Sequence, residues 1–266
     1  MQKIAIIGCG QIGTALTAGL INGGIDPDKI YVTNRRPERS KELKEQFGVH
    51  AIQDNLQATE EADVVFLAVK PYGIVPVLDE IAAAVQDNDK DTIVVSMAAG
   101  MTLGAMESEC TAGTPLIRVM PNTPMLVGKG VSIVSPGRFA SKDQVARVTE
   151  LLEKVGYVEV LPESDIDVAT AVAGSAPAYF FLCVEAMIDS AVNMGLKRDV
   201  ATALASRTLE GSGALLASGL DPVQARVNVT SPGGTTAAAL RELERSGVRT
   251  AFADAMEACY RKAAGK

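Results

Sequence analysis

The chain has 266 residues, 47% hydrophobic and 21% charged, an ordinary globular composition with ample material for a core. Its formal net charge of −7, with no basic run and no aromatic-and-arginine platform, argues against a nucleic-acid or anionic-membrane surface. Four scattered cysteines (Cys9, Cys110, Cys183, Cys259) have neither zinc-ligand nor redox spacing and read as small buried hydrophobes.

The opening "MQKIAIIGCG" is not a signal-peptide pattern, because a single lysine leads into a glycine turn. A cytoplasmic protein is expected. Apolar runs rich in β-branched residues predict strands at Lys3–Ile7, Ile30–Thr33, Val64–Val69, Thr92–Met97, Leu116–Met120, Val131–Val134 and Tyr157–Val160. Helix-length segments at Thr14–Asn22, Glu38–Phe47 and Gly73–Val85 lie between several of them. Short, almost wholly apolar strands suit a parallel sheet covered on both faces. The alternation therefore predicts an α/β chain whose residues 1–161 form a doubly wound Rossmann domain.

From Glu163 onward the strand signal fades and helical periodicity takes over, so residues 162–266 are expected to form an all-α domain. Its segment "APAYFFLCVEAMIDSAVNMGL" is apolar over much of its circumference, yet Glu185 and Asp189 interrupt it too early for a membrane span. A helix of this kind must be buried on several sides. About 100 residues supply that cover more easily with a second copy, so a homodimer through the helical domain is expected. The alternative is a single tightly packed helical domain in a monomer.

The loop Gly8-Cys9-Gly10-Gln11-Ile12-Gly13 follows a predicted strand and opens a predicted helix, the context a dinucleotide fingerprint requires. The first glycine permits the tight turn and the second lets backbone approach a pyrophosphate. The third lets the helix pack closely on the strand. At the second strand's tip stand Asn34, Arg35 and Arg36, with no carboxylate for a ribose 2′-hydroxyl. Guanidinium forks there favour a 2′-phosphate, hence NADPH, with NADH a weaker second cofactor.

Loops at the carboxyl ends of later strands are where doubly wound sheets bind ligands. Val69-Lys70-Pro71 and Ala98-Ala99 are two such exits, and Lys70 reads equally as a general acid or as a solvated group. His50, the single histidine, lies far in the chain from every strand-end loop and reads as a surface or structural residue. No Ser-His-Asp set, metal cluster or carboxylate pair in a glycine-rich context is visible. A carbonyl accepting hydride needs a proton donor, whereas an iminium already carries positive charge and becomes a neutral amine. The shortage of donors leans toward a C=N substrate.

Far downstream, Ser231-Pro232-Gly233-Gly234-Thr235-Thr236 precedes another predicted helix. Its free N–H groups suit a carboxylate as well as a phosphate, and the pyrophosphate already has Gly8–Gly13. The second cradle is therefore read as holding a substrate carboxylate, with a threonine hydroxyl beside the adjacent nitrogen.

"IGCGQIG", "AVKP", "SMAAG", "RVMPNTP…VGKG", "GSAPAYFF" and "VTSPGGTTAAAL" fall in one order and spacing along the whole chain. In these motifs it resembles the pyrroline-5-carboxylate reductase family. The resemblance implies NADPH-dependent reduction of (S)-1-pyrroline-5-carboxylate to L-proline, with a Rossmann domain and a helical dimerisation domain. It implies an active site at the dimer interface and, in some members, rings of dimers. By motif position, Ser231–Thr236 would hold the substrate carboxylate and Thr236 would sit beside the ring nitrogen. Asn228 would lie near the cofactor, as would the Val69-Lys70-Pro71 and Ala98-Ala99 loops around the nicotinamide. Two departures stand in the helical domain: Ala176, where the family usually has glycine in Gly-Ser-Gly-Pro-Ala-Tyr, and Ala225, where an aliphatic residue is common.

Overall fold

The computed structural model describes residues 3–88 and 91–265. The chain divides into two compact units, one running to Gly174 and taking in the last residues from Tyr260, the other Ser175–Cys259.

The first unit is built on eight strands: β1 (Ile4–Ile7), β2 (Ile30–Thr33), β3 (His50–Ile52), β4 (Val64–Leu67), β5 (Ile93–Ser96), β6 (Leu116–Met120), β7 (Gly130–Pro136) and β8 (Gly156–Val160). Their spatial order is β3-β2-β1-β4-β5-β6-β7-β8, parallel throughout except for the antiparallel β6–β7 pair. Helices α1 (Gln11–Asn22), α2 (Pro37–Phe47), α3 (Asn55–Thr59), α4 (Ile74–Asp87), α5 (Leu103–Glu107), α6 (Lys142–Glu153) and α7 (Ile166–Ala169) accompany the sheet.

The central strands are apolar at consecutive positions because each face has its own core. Ile4, Ile6, Val64, Phe66, Ile93 and Val95 pack with Leu16 and Leu20 of α1 on one face. Ala5, Ile7, Val65, Leu67 and Val94 pack with Leu78 and Ile81 of α4 on the other. A strand period of two sends alternate side chains into different cores, so neither register can hold a polar residue cheaply. Each such fully buried aliphatic side chain contributes about 1.5–3 kcal/mol.

The expected strands are all present, two with the expected bounds and the others with ends moved by one or two residues. β3 is an addition that a three-residue edge strand does not announce in sequence. It carries His50, whose ring stacks on Tyr31 (centroids 4.5 Å apart, 15° between planes), and whose Nε2 lies 4.0 Å from Asp28 Oδ1. The histidine has the structural role expected of it.

Arg118 on β6 is 5% exposed, and its cation is matched by carboxylates arriving from the start of the helical run. Arg118 Nη1 donates to Glu163 Oε1 at 2.8 Å and Nη2 lies 3.9 Å from Asp167 Oδ1, while Leu103 N–H donates to the same Glu163 oxygen at 2.6 Å. Downstream, Thr170–Gly174 form a π-turn. Buried Asn122 donates from Nδ2 to Ala173 O there (3.0 Å) and accepts at Oδ1 from Val131 N–H (2.8 Å).

The second unit is helical: α8 (Ala176–Asn193), α9 (Arg198–Ala217), α10 (Pro222–Asn228), α11 (Thr235–Arg245) and most of α12 (Val248–Ala263). Its buried side chains are small ones, Ala176, Ala201 and Ala205. Phe181 is 61% exposed, Leu182 66% and Met194 81%. The alternative reading, tight packing of this segment within one chain, does not occur. By length and composition alone the helical run Glu163–Asn193 could cross a membrane, with mean hydropathy 1.6 over its most apolar window, of which 11% is buried.

Candidate active site

The first glycine loop links β1 to α1. Gly8 has φ +82°, a conformation that L side chains rarely adopt, and a Cβ there would collide with Val69 Cγ1. A Cβ on Gly10 would meet nothing closer than Gly8 O at 3.9 Å, so this backbone faces open space. A Cβ on Gly13 would press on Ile6 Cγ2 (3.3 Å) and Ala68 Cβ (3.4 Å), where α1 crosses the sheet. Gly10 caps α1 without a side-chain bond, which leaves the first-turn N–H groups of Gln11, Ile12 and Gly13 as donors for an anion. The residues therefore fit a dinucleotide pyrophosphate.

Beneath the loop, Cys9 Sγ is buried between the hydroxyls of Thr14 (3.8 Å) and Thr17 (3.7 Å). Burial, against smaller opposing effects of those hydroxyls and Arg39, pushes its thiol up, so it packs and does not react.

A cleft of about 910 Å³ opens beside this loop, lined among others by Gly8, Gly10, Asn34, Arg35, Arg36, Val69 and Lys70. Asn34 is engaged at both ends of its amide: Nδ2 donates to Cys9 O at 3.0 Å and Oδ1 accepts from Arg36 N–H at 3.0 Å. It locks the tip of β2 to the glycine loop. Arg35 and Arg36 are exposed, with no carboxylate partner among the described residues. Arg39, which sequence reasoning passed over, joins α2 to α1 by donating to Thr14 Oγ1 at 2.9 Å while pairing with Glu42 at 2.8 Å.

At the end of β4, Val69 is half-buried and Lys70 is exposed, its carbonyl taken by Gly73 N–H in the short 3₁₀ turn Pro71–Gly73. Lys70 has no hydrogen-bonded partner that would mark it as a held proton donor among the described residues. Beyond β5, Ala98 is buried, whereas Ala99 is exposed beside Gly100 at φ +76°.

The second glycine turn lies in the helical unit. Gly233 has φ +70°, and a Cβ on Gly234 would sit 2.5 Å from Ser231 Oγ. Gly234 N–H donates to Ser231 O at 3.1 Å, which closes the turn. Gly234 then caps α11 with no side-chain bond, leaving Thr235 and Thr236 in its first turn. The hydroxyls of Ser231, Thr235 and Thr236 make no hydrogen bond among the described residues. Neighbouring Thr230, by contrast, spends its hydroxyl on Arg226 O. Asn228, at the end of α10, accepts from Gln224 Nε2 at 2.7 Å. An uncapped helix start with free hydroxyls is a site for a small anion flanked by a hydrogen-bonding group.

Two family models match the chain. One, pyrroline-5-carboxylate reductase dimerisation, covers residues 163–266; the other, NADP oxidoreductase coenzyme F420-dependent, covers 3–100. The helical half is thus an oligomerisation domain. A pyrroline-5-carboxylate reductase of Corynebacterium melassecola is 51% identical over 97% of this chain and 96% of its own length. The solved structure of a Coxiella burnetii pyrroline-5-carboxylate reductase, 36% identical, superposes with a TM-score of 0.93 over 99% of this chain and 98% of that one. That of the Plasmodium falciparum pyrroline carboxylate reductase with NADP bound, 29% identical, gives 0.86 over 98% and 97%. With both glycine cradles in place and similarity running the length of the chain, the protein belongs to the pyrroline-5-carboxylate reductase family.

Proposed function

We propose that this protein reduces (S)-1-pyrroline-5-carboxylate to L-proline with NADPH, the last step of proline biosynthesis. The observation that carries the reading is the second cradle: an uncapped helix start with unspent threonine hydroxyls, in a chain whose first cradle already suits a pyrophosphate. NADPH, when bound, supplies the hydride. The Gly8–Gly13 loop holds the pyrophosphate on first-turn N–H groups, and Arg35 and Arg36 take the 2′-phosphate. Val69-Lys70-Pro71 and Ala98-Ala99 flank the nicotinamide, and Asn228 is assigned to the cofactor by its motif position.

The substrate carboxylate is fixed by the backbone N–H of Gly233 and the first-turn N–H groups of α11 from Thr235, while Gly234, its own N–H spent on Ser231 O, shapes the turn that Ser231 completes. Thr236 hydrogen-bonds the ring nitrogen and so orients the imine carbon toward the hydride donor. No strong acid is required, because the protonated imine loses its charge as it becomes the amine. The active unit is a homodimer through the helical half, able to assemble further into a ring of dimers, in the cytoplasm. Support for the dimer comes from the exposed apolar face of α8 and from the dimerisation-family match.

The test is NADPH oxidation by purified protein with 1-pyrroline-5-carboxylate and, in parallel, its 2-carboxylate isomer. Turnover on the 5-carboxylate with formation of proline is the expected result. Activity on the isomer alone would change the substrate to a related cyclic imine acid, and silence on both would overturn the reading.

A further inference from the structure

The tip of β2 offers a bound dinucleotide two cations and no carboxylate. The fold brings a carboxylate to the same cleft from elsewhere. Glu80, on the exposed side of α4, is the one acidic residue among those lining the cleft, where Arg35, Arg36 and Lys70 supply the cations.

A continuous hydrogen-bond chain leads to it from the pyrophosphate loop. Gly8 N–H donates to Thr33 Oγ1 (3.3 Å), the Thr33 hydroxyl donates to Asn55 Oδ1 (2.7 Å), and Asn55 Nδ2 donates to Glu80 Oε2 (2.8 Å). Thr33 is 2% exposed, so the chain starts from a fixed point at the end of β2. Both ends of the Asn55 amide are occupied, and it cannot flip without breaking two bonds. Glu80 is thereby held over the cleft with one oxygen anchored. Its other oxygen makes no hydrogen bond among the described residues.

We infer that Glu80 sets the balance between the two nicotinamide cofactors. Its free carboxylate oxygen accepts from the ribose hydroxyls of NADH, the service an acid at the β2 tip performs in NAD-selective sheets of this kind. The same charge repels the 2′-phosphate of NADPH and so opposes Arg35 and Arg36. The cleft is therefore a compromise between two recognition chemistries, with selectivity fixed by one carboxylate against two guanidinium groups. This rests on the dinucleotide reading of the first cradle.

The experiment is calorimetric titration of the full chain and of Glu80→Gln with NADPH and with NADH, without substrate. The glutamine is isosteric and can still accept the Asn55 amide, and E80A, checked for an unchanged melting temperature, provides a second variant. The expected result is that the ratio Kd(NADH)/Kd(NADPH) rises about tenfold in both variants, NADH binding more weakly and NADPH more tightly. Equal weakening of both nucleotides would place Glu80 against the adenine they share, and an unmoved ratio would show that it touches neither ribose. Either outcome overturns the inference while leaving the first cradle intact. Failure of the unsubstituted chain to bind either nucleotide would instead remove the dinucleotide reading itself.

Discussion

The two halves of this chain bury their apolar surface by different means. In the sheet unit, Phe66, Ile4, Ile6, Leu16 and Leu20 are wholly enclosed by the chain's own elements. In the helical unit, Phe180, Phe181, Leu182 and Met187 of α8 remain in solvent and the buried residues are alanines. A parallel sheet with helices on both faces completes its core within one chain, whereas two long antiparallel-sized helices with apolar flanks do not. The first unit is a finished domain; the second is half of one.

Substitutions should separate these two conditions. The largest effect is expected for Phe66→Ala, which empties a site enclosed on all sides and should cost about 3–5 kcal/mol of stability. Denaturant unfolding at two protein concentrations should show that loss to be independent of concentration. Next comes Phe181→Asp, which places a charge on the exposed face of α8. It should leave the sheet unit folded but weaken association by at least about 2–4 kcal/mol, so that sedimentation velocity shifts toward single chains. An unaltered sedimentation coefficient would mean that α8 is covered by something other than a second copy.

The substrate cradle offers a smaller and more local contrast. Thr236→Ala should lower turnover by about ten- to a hundredfold, about 1.4–2.7 kcal/mol of transition-state stabilisation, while the NADPH dissociation constant stays within about twofold. Undiminished turnover would remove Thr236 from the mechanism. The mildest probe is thiol labelling. Cys110 is pushed up to about 11, by burial first and then by Glu107 and Glu109, so below that pH its thiolate is scarce and alkylation at pH 8 should be slow. Cys183, exposed on α8, should react quickly in the Phe181→Asp chain and slowly in the parent if a partner helix covers it in the proposed dimer. Equal rates in the two would argue against that cover.

Much of the sheet unit was legible because its physics is local. An apolar run of four or five residues, a glycine turn and a helix start occupy adjacent positions. β3 was not legible, since three residues at an edge bury too little to leave a pattern. The glycines of both cradles were readable for the same local reason: a positive φ and a missing Cβ are properties of single positions. Glu80 was invisible because its position depends on α3 and α4 folding over the end of β2, with Asn55 as intermediary. Arg118 and Glu163 are 45 residues apart, and nothing in the neighbourhood of either reveals the other. Asn34, expected among the cofactor residues, has both polar ends of its side chain turned to the backbone, which composition alone could not reveal.

The shared oxygen of Glu163 also bears on how such a chain could have been assembled. A fusion joint placed just before this residue would strand the Arg118 guanidinium in the sheet without a counter-charge, a penalty of about 3–5 kcal/mol. It would also leave the Leu103 amide without its acceptor. The first helical turns, up to Gly174, therefore travel with the sheet, and a joint that respects the two units falls after the π-turn. A chimera that takes its helices from a relative should fold when spliced there and fail when spliced twelve residues earlier, although the two products would differ by barely a single helical motif.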